Sequence, residues 1–100
     1  MVPPKVCRNT LRHMLKSFFP SSQTVAGDPF VVKIPIADVS KLSCKTGYRS
    51  IMTKDGKVFL AHKVKHEWYL VFVGAKSVDV FEYDYAIHVE YEDGWLMVYV

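Results

Sequence analysis

The sequence predicts an α+β fold: an N-terminal amphipathic helix packed on a five- to six-stranded, mainly antiparallel sheet, a meander with the option of closing towards a small barrel. Three observations carry this. A helical apolar stripe ends at a proline within the first twenty residues. From Tyr48 onward, β-branched and aromatic residues alternate with polar ones almost without a break, and turn residues punctuate that stretch. At 100 residues, half of them apolar, the chain reads as one domain, 1–100, able to bury a core without metal or disulfide staples.

Pro3 and Pro4 suit a helix entry and Pro20 a stop. Between them Cys7, Leu11, Met14, Leu15, Phe18 and Phe19 recur at helical spacing, and Lys5, Arg8, Arg12 and Lys16 lie along one flank. The first 23 residues hold basic residues and serines but no acid, a composition shared with organellar leaders. The expectation is nevertheless a mature helix in an intracellular, cytoplasmic protein.

Ser21–Pro29 reads as a loop. Phe30–Ile36 (FVVKIPI) reads as a strand whose Pro35, lacking a donor, belongs on an edge or at a strand end. Asp38 caps a short turn, ADVSKL, before a loop containing Gly47. Asp55-Gly56 and Asp93-Gly94 are dipeptides favoured by two-residue type I′ hairpins. Further turns fall at Lys65-His66 and at Gly74–Ser77. Apolar positions are even at Val78 and Val80 but odd from Phe81 to Tyr91, which predicts a bulge or bend at Val80-Phe81 and a second division near Asp84.

Faces follow from these turns. A loop at Lys65-His66 puts Val58, Leu60, Val71 and Val73 on one side of a hairpin, and Phe59, Ala61, Leu70 and Phe72 on the other. Both sides are apolar, and one helix covers only one of them, so the second needs a barrel, another subunit or a partner. A loop at Asp93-Gly94 pairs Glu92 with Trp95, Glu90 with Met97 and His88 with Tyr99, and assigns Ile87, Val89, Tyr91, Leu96, Val98 and Val100 to the core face. His88 and Glu90 stand about 6.6 Å apart along one strand face. Two ligands do not make a metal site, so Trp95, Met97, Tyr99, His88 and Glu90 read as a protein-facing or solvent-facing surface.

The net charge of +3 hides a polarity. All 13 Lys and Arg lie in residues 1–76, which carry +9, whereas residues 77–100 carry −6. Such separation fits a basic surface for a polyanion, or two complementary patches that meet between subunits. The stretch KVKHEW offers Lys63, Lys65 and His66 for phosphate and Trp68 for base stacking, and the helix adds Arg8, Arg12 and Lys16. With aromatics abundant and no recognition helix evident, single-stranded DNA or RNA is the expected ligand.

Cys7 and Cys44 form no C-x-x-C motif. No phosphate-cradling glycine loop, nucleophile elbow or H-E-x-x-H occurs, and His13, His62, His66 and His88 have no site-forming spacing. The expectation is a small basic, non-enzymatic binding protein without catalytic residues, metal, cofactor, small-molecule substrate or membrane partner. Its main reading is nucleic-acid binding. The alternative is a homo-oligomeric interaction module, a dimer formed through the exposed apolar sheet face.

Overall fold

The two early prolines do not open the helix. In the computed structural model, which describes residues 2–100, Pro3–Val6 runs extended along a sheet edge, with Val6 N–H donating to Glu82 O and Glu82 N–H to Pro4 O. Helix α1 (Arg8–Phe18) begins after Cys7, whose φ of −89° and ψ of 168° are extended. Its stripe buries Leu11 and Leu15 completely, and Phe19 and Pro20 end it as the pattern requires.

Nine strands follow: β1 (Gln23–Val25), β2 (Asp28–Pro35), β3 (Val39–Lys45), β4 (Tyr48–Thr53), β5 (Val58–Val64), β6 (Glu67–Val73), β7 (Val78–Tyr83), β8 (His88–Glu92) and β9 (Trp95–Tyr99). The class is α+β, as the sequence predicts, but the strands form two antiparallel sheets and not one, and neither closes into a barrel. The meander is the five-stranded sheet β3-β4-β5-β6-β7. The other has four strands in the order β1-β2-β9-β8.

Residues Asp84–Ile87 cause the division. They pair with neither sheet and carry the chain from one to the other. The expected break near Asp84 is therefore real, whereas no bulge interrupts Val80-Phe81: β7 pairs with β6 in unbroken register from Val73↔Val78 to Trp68↔Tyr83. Val78 and Val80 simply point outward, 65% and 38% exposed.

Other expectations shift for local reasons. The predicted loop Ser21–Pro29 contains β1, which turns back on β2 around Gly27 at φ +80°. Of the two places open to Pro35, edge or strand end, the structure takes the second: β2 lies between β1 and β9, and Pro35 is its last residue, where a missing donor is tolerated. ADVSKL is a single 3-10 turn, Ile36–Asp38, followed by the polar edge strand β3. Asp55-Gly56 belongs to a three-residue loop closed by Thr53 and Lys57, with only Gly56 at positive φ (+85°). Asp93-Gly94 does form the two-residue turn, both residues at positive φ (46° and 83°), and the β8–β9 register is the predicted one.

One core joins everything. Leu11, Leu15 and Phe19 from α1, Val32, Ile34, Leu96 and Val98 from the smaller sheet, and Ile51, Phe59, Ala61, Leu70 and Phe72 from the larger form a single buried cluster. The helix and the four-stranded sheet thus share the inward face of the meander. Tyr91, expected on the core face, is 66% exposed, because β8 is the outer strand of its sheet and Tyr91 stands near its end. No helix among the described residues is long and apolar enough to cross a membrane.

Candidate nucleic-acid interface

Successive turns of a meander alternate between its ends. The β3–β4 turn at Thr46-Gly47 and the β5–β6 turn at Lys65-His66 therefore share one end, where Lys63 N–H donates to Gly47 O at 2.8 Å. Lys45, Lys63, Lys65 and His66 are all exposed there. Two shallow clefts open at this end. One, of about 410 Å³, lies between the β3–β4 hairpin and β8, lined by Cys44, Lys45, Thr46, Arg49, His88 and Val89; the other, of about 360 Å³, is lined by Val64, Lys65, His66, Glu67 and Tyr69.

The expected stacking ring is not available. Trp68 shares the inward face with Leu70 and Phe72 and is 6% exposed, its ring lying 5.7 Å from the Arg49 guanidinium carbon. Arg49 in turn donates to Lys45 O and Tyr48 O, tying down the β3–β4 turn. Sequence reasoning missed Lys45 and Arg49 at this end because the residues of β3 have the composition of turn and loop. Their signal was the return of the chain at Gly47.

The helix bases separate from this group. The Arg8 guanidinium carbon sits 3.7 Å from the Tyr85 ring centroid and 4.8 Å from that of Phe30, and its Nε is buried. The Arg8 guanidinium is thereby packed on two rings. Arg12 donates to Asn9 Oδ1 at 2.6 Å and to Pro29 O at 3.3 Å. With His13 and Lys16 it lines a cleft of about 430 Å³ against the β1–β2 turn, sharing no residue with the clefts at the basic end. Asp28 lies in that cleft and opposes an anion.

The acidic face is internally satisfied. His88 Nε2 lies 2.9 Å from Glu90 Oε1, and Tyr99 O–H donates to Glu90 Oε2 at 3.3 Å. The His88 bond, then that of Tyr99, holds the Glu90 carboxyl below its usual range. Lys33 Nζ lies 4.4 Å from the Trp95 ring centroid, while Met97 is 9% exposed and has little surface left to offer a partner. No group of three metal-binding side chains occurs among the described residues.

Both cysteines are free and exposed. Cys7 Sγ lies 3.2 Å from Thr10 Oγ1, and this bond, helped by the Thr10 and Asn9 amides at the helix start, lowers the Cys7 thiol pKa. Iodoacetamide at neutral pH, followed by peptide mass spectrometry, is expected to label Cys7 several-fold more slowly once Thr10→Val removes the hydroxyl.

Compared with family models, curated proteins and solved structures, neither the sequence nor the fold finds a match.

Proposed function

We propose that the chain is a non-catalytic nucleic-acid-binding protein that contacts the phosphates of single-stranded DNA or RNA through Lys63, Lys65 and His66. One observation carries the reading: the meander gathers these exposed side chains at one end of the sheet, next to Lys45, with Glu67 the one acid lining the clefts there. Trp68 is withdrawn, so binding is electrostatic and indifferent to base identity. A single strand is favoured over a duplex because the basic edge of α1 is held by Phe30, Tyr85, Asn9 and Pro29 and does not present itself to a groove.

Fluorescence anisotropy of a labelled oligonucleotide at several salt concentrations tests this. Affinity should fall steeply with salt, and Lys63→Gln/Lys65→Gln should flatten the log–log slope by about 1.4, since each single-strand phosphate that is no longer neutralised removes roughly 0.7. Lys54→Gln/Lys76→Gln, at the opposite end, should leave the slope unchanged. No binding at low salt, or affinity that ignores salt, would sink the reading.

A further inference from the structure

We infer that the outward face of the five-stranded sheet is the contact surface of a symmetric homodimer, its two-fold axis running parallel to the strands along β5. This goes beyond the nucleic-acid reading and does not rest on it.

The central strands of the sheet are apolar on both sides, and among the described residues only the inward side is covered. Register lays the outward residues in rows across the strands. One row runs Lys41, Met52, Val58, Val73, Val78, and the next runs Ser43, Ser50, Leu60, Val71, Val80, so the apolar residues fill the middle and the β7 side of both. These side chains are half-buried or exposed, whereas Phe59, Ala61, Leu70 and Phe72 on the inward side are at most 2% exposed. Five strands about 4.8 Å apart and about six residues deep present roughly 480 Å² of projected face. The apolar part of this face, within two of its three rows, is of the size of the largest patch that a monomer exposes, and such patches are often functional. Two such faces bury on the order of 1,000 Å², near the lower bound for a specific interface.

The third row says what covers it. It runs Lys45, Tyr48, His62, Tyr69, Glu82, with a cation on edge strand β3 and a carboxylate on β7, at the same height on either side of β5. Among the described residues neither Lys45 nor Glu82 has an ion-pair partner; neighbouring Lys5 pairs with Asp84 at 3.0 Å. A two-fold axis parallel to the strands reverses left and right but keeps height. It sets Lys45 of each copy over Glu82 of the other, Met52 over Val73, and Val58 and Leu60 near their own equivalents. The in-plane axis perpendicular to the strands would instead set Lys45 over the other copy's Lys41, cation on cation. The face is self-complementary in one orientation, which is the requirement for an isologous pair. That orientation also brings the Lys63–His66 turns of both copies to one end of the dimer.

Sedimentation equilibrium of the full chain without nucleic acid decides the matter. The expected mass is twice the 11.5 kDa of the chain. Leu60→Glu, in the middle of the face, should yield a folded monomer by circular dichroism. Lys45→Glu alone and Glu82→Lys alone should each raise the dimer Kd roughly tenfold, and the double exchange Lys45→Glu/Glu82→Lys should restore it. A wild-type monomer at every concentration overturns the inference, as does a dimer that survives Leu60→Glu. Single reversals without effect, or a double exchange that fails to rescue, overturn the proposed orientation. Oligonucleotide binding by the Leu60→Glu monomer separates this outcome from that of the nucleic-acid reading.

Discussion

Replacing Phe72 with Ala is expected to lower the unfolding free energy by about 3–5 kcal/mol, among the largest losses a single core truncation produces. Phe72 lies on β6, in the middle of the meander, and is 2% exposed. Its ring centroid is 4.9 Å from Phe59, 5.0 Å from Phe18 of the helix and 6.3 Å from Phe81 of β7. Truncation removes the ring around which three others meet edge-on or tilted, and the sheet backbone prevents them from collapsing into the space. Guanidinium chloride unfolding should show a lower midpoint at nearly unchanged slope. A loss below about 1 kcal/mol would mean that the aromatic cluster does not hold the helix to the sheet.

The second large effect belongs to Arg8. Its guanidinium is held between Phe30 of β2 and Tyr85 of the connection to β8, so one side chain ties the start of α1 to both. Arg8→Ala removes two cation–π contacts and the packing of the stem, and is expected to cost about 2–3 kcal/mol. Arg8→Lys keeps the charge but loses the planar stack, and should recover only part. Beside it, Tyr83 is buried with its hydroxyl unbonded; the guanidinium is near enough to favour the phenolate, but the pair does not reach hydrogen-bond geometry.

Burial therefore dominates and pushes the Tyr83 phenol from 10.0 up to about 12. Because the folded state raises this pKa, the neutral phenol contributes stability that is fully present below pH 10 and is lost as pH rises towards 12. The contribution is roughly 2–3 kcal/mol, from about two units at 1.36 kcal/mol each. Stability curves at rising alkaline pH should show that decline, and Tyr83→Phe should abolish most of it.

What could be read in advance was local. The α1 stripe, the Lys65-His66 and Asp93-Gly94 turns and the registers of their hairpins all depend on residues a few positions apart. Strand β3 escaped because Ser40, Lys41, Ser43 and Lys45 give an edge strand the composition of a loop, although Ser40 Oγ donates to Thr53 O at 2.8 Å within the sheet. The second sheet escaped because FVVKIPI and WLMVYV are equally apolar, and nothing in either specifies the other as neighbour. The candidate site was legible only in part. KVKHEW has the composition of a binding stretch, yet the parity that assigns Leu70 and Phe72 to the core places Trp68 there too. The role of Arg8 was invisible, since Phe30 and Tyr85 come from separate parts of the chain.

The pairing of β2 with β9, from Val31↔Tyr99 to Pro35↔Trp95, has a consequence for synthesis. At about 5–20 residues per second, β2 leaves the ribosome several seconds before its neighbour exists. During that interval Val31, Val32 and Ile34 form an apolar segment with one unsatisfied flank, open to pairing with another nascent chain. Lys33 and Pro35 interrupt that segment at alternate positions, a charge and a missing donor where a foreign strand would attach. The same two residues that keep this stretch from being an unbroken apolar run protect it while it waits.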